Sequence, residues 1–462
     1  MSISSFTKQF ESAIESSIQH LAALLAFTLV FLAAAEAHAA RNILVLIADD
    51  LGVDNSSFYP LSLRKQTNPP PPPMPSIRKL ADAGILFANA WASPFCVPAR
   101  GTIFTGRYAF RTGVGSNLEK PEFQRLTQAE FITPEAFLAR PALGYELAHI
   151  GKWHVSEGDN DPNSFGWPYF SGADPYRSGV PSYFKWVKHI NSAESLTTKY
   201  ATTDQVDEAI AAIGRANKRP GPFYIEVAFN APHSPFHKPP NSLHSYDALP
   251  PYTSGVNARP YFEAMVQALD TEIGRLLKSV NLANTTVIFL GDNGSTKITV
   301  APPYDPNRSK GTMYQNGILV PMLIAGAGVS QPNRVVDALV STVDILPTVL
   351  DLAGIDVQSV IPRGTKIDGV SMVPYMQDPG AAGRHEFIYS ERFSDRFDHS
   401  FQRAIRNAKF KLIRRGSGSR EFYNLRLDPL EHVNLLSRAL STWEQTNLVR
   451  LENQLATLLA SR

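Results

Sequence analysis

Ile43 to Ala48 is an unbroken apolar run rich in β-branched residues, preceded by Asn42 and followed by Asp49-Asp50. A strand with no polar face cannot sit on the surface of a sheet, so this pattern predicts a strand buried on both faces of a parallel sheet. Two further segments repeat the logic: Phe223–Phe229 leads to His233, and Thr286–Leu290 leads to Asp292-Asn293-Gly294. Helical patterns lie between them, at Ile77–Ala83, Pro134–Leu138 and Tyr261–Val280, the last with Met265, Leu269, Ile273, Leu276 and Leu277 on one stripe. Strands alternating with helices predict a layered α/β domain with a large, mostly parallel central sheet flanked by helices. In such sheets the polar residues just past the carboxyl ends of buried strands form the sites. Pro69–Pro73 is expected as a stiff, extended surface segment.

After Pro374 the texture changes to short alternating segments, Phe387–Ser390, Ala404–Arg406 and Phe410–Ile413, and then a helical pattern over Thr442–Leu459. This predicts a small antiparallel sheet with a helix on it. The expected division is a catalytic α/β domain over 40–378 and a C-terminal α+β subdomain over 379–462.

At the N-terminus an apolar run from Leu21 to Ala35 precedes Ala37-His38-Ala39, the small-residue pattern of a signal peptide covering residues 1–39. The run is about fifteen residues, short for a bilayer span of about 20. Periplasmic or secreted location by cleavage is therefore expected, with an uncleaved anchor as the alternative and no membrane span in the mature chain. The 44 basic and 42 acidic residues leave a formal charge of +2 without long single-sign runs, which argues against a nucleic-acid partner. The single cysteine, Cys96, excludes an internal disulfide and any multi-cysteine metal cluster. Alone, it reads as a small buried apolar residue.

Two adjacent carboxylates at a strand end repel unless a proton or cation neutralises them. Asp49-Asp50 could equally cap a helix. With Asp292 and Asn293, however, they make three carboxylates and one amide oxygen, a hard donor set suited to calcium or magnesium.

Cys96 stands in C-V-P-A-R-G followed by I-F-T-G-R, and Gly144-Tyr145 through Ile150-Gly151-Lys152-Trp153-His154 forms a second distinctive segment. The pair resembles the two signatures of the sulfatase family, within the alkaline phosphatase superfamily. The resemblance runs from about Asn42 to Leu435 and includes Pro232–Pro235, Asp292–Gly294, Lys310–Tyr314, Asp344–Thr348, Asp368–Ser371 and Asp428–Leu435. It implies an alkaline phosphatase-like mixed sheet. It also implies sulfate ester hydrolysis with Cys96 oxidised to formylglycine by a maturation enzyme, and metal ligation by Asp49, Asp50, Cys96, Asp292 and Asn293. In similar enzymes one hydroxyl of the hydrated aldehyde attacks sulfur and expels the alcohol, and the other then ejects sulfate. Carried over by position, Lys152 and Lys310 would hold sulfuryl oxygens, Arg100 would anchor the nucleophile and His154 would orient or deprotonate it. His233, with Lys310, would protonate the leaving oxygen.

This chain departs from the family pattern at Val97 and Ala99 beside the cysteine, at Gln315–Pro321 behind Lys310, and at Arg78. His149, His237, His244 and His385 read as structural or substrate-rim residues. Specificity is expected from rim loops at 159–195, 236–260 and 297–307, which carry Trp167, Tyr169, Tyr176, Tyr183, Phe184 and Trp186. These aromatics suit an aryl or carbohydrate sulfate, or ordinary packing; Trp167 is expected to pack on the sheet. The alternatives are a phosphate or phosphonate ester hydrolase of the same superfamily, and an inactive relative that binds sulfated ligands.

Overall fold

The computed structural model describes residues 41–117, 125–156, 161–174, 179–394 and 400–461. The expected signal peptide, together with Asp159 and Tyr176, lies outside them. Asn42–Arg462 forms one compact unit. Its main sheet is built from β1 (Asn42–Ala48), β2 (Gly84–Trp91), β3 (Glu146–Gly151), β4 (Phe170–Gly172), β5 (Trp186–Ile190), β6 (Ala193–Thr197), β7 (Phe223–Ala228), β8 (Thr285–Gly291), β9 (Met322–Gly326) and β10 (Arg334–Ser341). The ten strands are ordered β10-β2-β9-β8-β1-β7-β3-β4-β5-β6. Only β5 and β9 run against the rest, so the sheet is mixed and mostly parallel, as expected.

The apolar runs account for the two cores. Along β1, Ile43, Val45 and Ile47 enter one core, while Leu44, Leu46 and Ala48 enter the other. Successive side chains of a strand point to opposite faces, so a run without polar interruption is what two covered faces require. The long helix Ala258–Leu277 contributes Met265, Leu269, Ile273 and Leu276 to the second core. Trp167, with 1% of its surface exposed, packs in the first. Pro71 and Pro72 are buried, so the proline run is not the wholly exposed segment expected of it.

The small sheet consists of β11 (Ile388–Arg392), β12 (Gln402–Arg406), β13 (Phe410–Arg415) and β14 (Arg420–Asn424), paired antiparallel in chain order. One face packs Ile405, Phe410, Leu412 and Phe422 against Leu448, Leu451 and Leu455 of the terminal helix Thr442–Ala460. That helix opens with a capping box between Ser441 and Glu444. The other face carries Ile388, Ala404, Ile413 and Tyr423 onto Trp91 and Ile318. The division expected near residue 378 falls between the helix Val373–Gln377 and β11.

Candidate active site

β1 lies between β7 and β8, and β3 is on the far side of β7, all four parallel. Their carboxyl ends therefore open at one edge, and each delivers polar residues there: Asp49 and Asp50 from β1, Lys152 and His154 from β3, His233 from β7, and Asp292 and Asn293 from β8. Cys96 arrives separately, as the first residue of the helix Cys96–Thr105. Helix N-termini present unpaired N–H groups and a positive dipole end, so the helix favours an anion at this place. Gly151, the last residue of β3, has φ +100°, and a Cβ there would lie 2.0 Å from Ala228 O. Only glycine permits this approach, which allows Lys152 N–H to donate to Ala228 O at 2.7 Å.

Cys96 Sγ is 3.4 Å from Asp49 Oδ1 and 3.8 Å from Asp50 Oδ1, and Lys310 Nζ is 3.3 Å from the sulfur. Each lysine rests on one carboxylate at 2.5 Å: Lys152 on Asp49 and Lys310 on Asp50. Arg100, fully buried, donates from Nε and Nη2 to Asp292 Oδ2 at 3.2 and 3.0 Å, and from Nη1 to Lys152 O at 2.7 Å. It thus fixes Asp292 and the backbone of Lys152 together. Asp292 Oδ1 accepts the Asp50 N–H at 3.1 Å, and Asn293 Nδ2 donates to Asp50 Oδ1 at 2.8 Å. Donor atoms of Asp49, Asp50, Cys96 and His233 all lie within 4.8 Å of one another. His233 therefore stands in the cluster, while Asp292 gives Oδ2 to Arg100 and accepts only the Asp50 N–H on Oδ1, which keeps a lone pair.

Burial and the opposing charges set the protonation states. Burial pushes the Asp50 carboxyl up, but Lys310, His233 and Lys152 outweigh it and hold the group below the usual carboxylate range. Burial and then Asp49 push Asp292 up to about 6, against Arg100 and Lys152. Burial and then Asp49 raise the Cys96 thiol well above its usual value, so the unmodified thiol stays protonated and is a poor nucleophile. Burial tends to discharge Lys310, yet Asp50 keeps it firmly cationic. His154 is pushed far down by burial, Lys152 and Arg100, and its buried Nδ1 has no hydrogen-bond partner. His233 is pushed down to about 4 by burial and Lys152. Its Nδ1 lies 2.7 Å from Ser234 O, an acceptor, which places the ring proton there and leaves the Nε2 lone pair directed to the cluster, 3.8 Å from Asp50.

Sequence reasoning passed over several supporting residues. Ser295 donates to Asp54 Oδ1 at 2.7 Å and accepts the Gly52 N–H at 3.0 Å, bracing the turn after Asp50. Glu431 accepts the Gln315 N–H at 2.5 Å and pairs with buried Lys411 at 2.7 Å, holding the segment that carries Lys310. The D-P-x-E stretch at 428–431 was the available signal for it. Among the rim aromatics, Trp167, Tyr183 and Trp186 are buried, whereas Phe184 is 40% exposed. His149 is fully buried, 3.1 Å from Glu226, and reads as structural. Val97 and Ala99 are core residues. Gln315 Oε1 accepts the Trp91 indole N–H at 2.9 Å, and Arg78 donates to Ser57 O at 3.0 Å.

Comparison with known proteins agrees with this geometry. The Sulfatase family model matches residues 41–355, and the model for the C-terminal part of N-sulphoglucosamine sulphohydrolase matches residues 308–459. The chain is 29% identical over 394 residues to uncharacterized sulfatase YdeN of Escherichia coli (strain K12), covering 75% of this chain and 67% of that protein. It is 28% identical over 384 residues to human N-acetylgalactosamine-6-sulfatase, covering 75% and 68%. The structure of Ps i-CgsB superposes with a TM-score of 0.74 at 22% identity, covering 91% of this chain and 93% of that one. BT4656, solved in complex with its substrate D-glucosamine-2-N,6-O-disulfate, superposes with a TM-score of 0.71 at 19% identity, covering 92% and 99%. At these identities the two structures speak for the fold, while the family match, spanning most of the chain and the residues gathered around Cys96, establishes that this chain belongs to the sulfatase family of sulfuric ester hydrolases.

Proposed function

We propose that the protein hydrolyses a sulfate ester of a saccharide, using a formylglycine derived from Cys96 and a divalent cation, calcium or magnesium. The observation that carries this reading is the placement of Cys96: fully buried, protonated as a thiol, at a helix N-terminus and between two carboxylates and a lysine. A thiol there serves poorly as a nucleophile, and an oxygen nucleophile made from it removes that obstacle. The donor set suits a hard cation. Asp49 and Asp50 supply carboxylate oxygens, and buried Asn293 Oδ1, without a hydrogen-bond partner, is an oxygen left for it. Asp292 would complete the set, with His233 Nε2 beside it. When bound, the cation neutralises adjacent carboxylates and polarises a sulfuryl oxygen.

This chain's own residues do the rest. Lys152 and Lys310 supply fixed positive charge to the sulfuryl oxygens, and the N–H groups opening the helix at Cys96 add to it. His154, neutral and with Nδ1 open, accepts a proton from the nucleophile. Lys310, held cationic, is the resident proton source for the leaving oxygen, with His233 beside it. The saccharide assignment is supported by relatives named for sugar sulfates, among them N-acetylgalactosamine-6-sulfatase and an ulvan-active sulfatase of Formosa agariphila, 27% identical over 387 residues. The same reading includes export by cleavage after residue 39 and maturation by a formylglycine-generating partner. No helix among the described residues is long and apolar enough to cross a membrane.

Mass spectrometry of the tryptic peptide from Leu80 to Arg100, on protein produced with a formylglycine-generating enzyme, tests the nucleophile: the aldehyde is expected, and a persistent thiol overturns it. Sulfate release from 6-sulfated N-acetylgalactosamine, 4-nitrophenyl sulfate and 4-nitrophenyl phosphate tests the substrate. Preference for the phosphate would reject the proposal in favour of a phosphoester hydrolase.

A further inference from the structure

A cavity of about 510 Å³ opens between the main sheet and the small one, walled by Ala88 and Asn89 of β2 and by the turns that follow β12 and β14. None of Asp49, Asp50, Cys96, Arg100, Lys152, His154, His233, Asp292, Asn293 or Lys310 lines it. Its volume lies within the usual range for small-ligand sites. Five cations, Arg64, Lys65, Arg406, Lys409 and Arg426, contribute to the wall against one carboxylate, Asp337. Among the described residues none of these six makes a close ion pair; Glu431 and Asp54 act on Arg406 and Arg64 only from a distance, and Glu431 is itself paired with Lys411.

Arg406 is the informative member, being only 3% exposed. Its Nε donates to Asn407 O at 3.0 Å, Nη1 to Asn89 Oδ1 at 3.0 Å and Nη2 to Ala408 O at 3.2 Å, all neutral acceptors. Its guanidinium carbon stands 5.9 Å from the Trp91 ring centroid. A guanidinium carries five N–H donors. Three are used here, leaving one on each terminal nitrogen as a donor for an oxyanion. A buried charge without a close ion-pair partner is costly to a fold, and burial, opposed only by the more distant Glu431, pulls the basicity of Arg406 down to about 10. Elsewhere in this protein buried cations are matched by carboxylates, as with Lys152 and Asp49 or Lys411 and Glu431.

We infer that this cavity is a second anion site, separate from the catalytic centre, which takes a sulfo group on Arg406 with Arg64, Lys65, Lys409 and Arg426 drawing it in. Two sources share that chemistry: inorganic sulfate, and the sulfo group of a saccharide. Crystals of the full-length protein soaked in selenate, a sulfate isostere, locate the sites directly by anomalous scattering, and calorimetry with selenate gives the affinity in solution. Selenate beside Arg406, in addition to any in the catalytic centre, is the expected result. Arg406→Gln should abolish that peak. Should Arg406→Gln not fold, the surface double variant Lys409→Gln/Arg426→Gln should still weaken the site by about tenfold, the combined loss expected of two exposed attracting charges, and leave the catalytic-centre peak in place. Displacement of cavity selenate by 6-sulfated N-acetylgalactosamine at lower concentration than by inorganic sulfate assigns a saccharide-borne group. The reverse order assigns the free ion. A cavity that stays empty while the catalytic centre fills, or one that takes phosphate but not selenate, overturns the proposal.

Discussion

The hydroxyl of Tyr183 lies 2.6 Å from Asn230 O and 2.8 Å from His233 O, so one phenol bridges the two ends of the turn that presents His233. His233 N–H itself donates to Asn230 O at 3.0 Å, closing the turn. Tyr183→Phe leaves two buried carbonyls sharing one donor fewer, a loss of about 1 to 3 kcal/mol in stability. Because the turn positions His233, to which the proposed mechanism gives a place beside the leaving oxygen, kcat should fall several-fold with KM little changed. Steady-state kinetics beside urea denaturation check both, and an unchanged kcat would show that the turn holds its shape without the phenol.

Asp54 is a buried carboxyl pushed up to about 6 by burial, against hydrogen bonds from Ser295 and other neighbours. Its usual value is 3.8. Between those values the folded protein binds more protons than the unfolded chain, so this group's contribution to stability declines as pH rises from about 4 to about 6 and stays low above. The full span corresponds to about 3 kcal/mol as an upper figure. Asp54→Asn, near in shape, should therefore be more stable than the parent at pH 8 and lose that advantage at pH 4. Thermal unfolding at both pH values is the check.

Chelation should remove a stabilising ligand as well as activity. A cation present at about 100 times its dissociation constant stabilises the folded state by about 2.7 kcal/mol. EDTA is thus expected to lower the unfolding midpoint, with calcium or magnesium restoring it. Asp49→Asn should make the midpoint insensitive to either treatment. A midpoint that never responds to chelator in the parent protein would reject the cation site.

At Gly151, alanine must adopt φ +100° with its Cβ 2.0 Å from Ala228 O, so β3 and β7 would have to separate. Backbone strain of about 1 to 3 kcal/mol adds to the weakened Lys152 to Ala228 hydrogen bond. Gly151→Ala is expected to lower the urea midpoint clearly and to displace Lys152, with kcat reduced accordingly. Wild-type stability and rate in this variant would refute the close-approach argument.

The centre of the sheet was legible because burial on both faces writes itself as continuous apolar runs: β1, β7 and β8 lie within a residue of the expected spans. The helix expected over 261–280 begins three residues earlier and ends three earlier, at Ala258 and Leu277. β9 and β10 were not legible. β9 is short, and β10, at an edge, mixes exposed positions into its first half and has Asp337 at its centre, so neither forms a long apolar run. The hairpin of β5 and β6 escaped because β6 is almost wholly exposed. In the site, the residues with charge at strand ends stood out, but their pairing did not. Nothing in the spacing announced that Arg100 would take up one oxygen of Asp292, nor that His233 Nε2 would face the carboxylates, because those contacts depend on side-chain direction across separate strands. Tyr183 was visible only as one aromatic among several in a rim loop, and its role follows from backbone carbonyls that sequence does not display.

Gln315 and Glu431 are 116 residues apart in the chain, yet the second holds the segment that carries Lys310. Synthesis proceeds from the N-terminus, so the ten-stranded sheet can assemble while the clasp on that segment is still to be made. The protein therefore reaches its working form only when nearly its whole length has been released, and a single proteolytic cut in the small sheet could silence the enzyme while leaving the larger one standing.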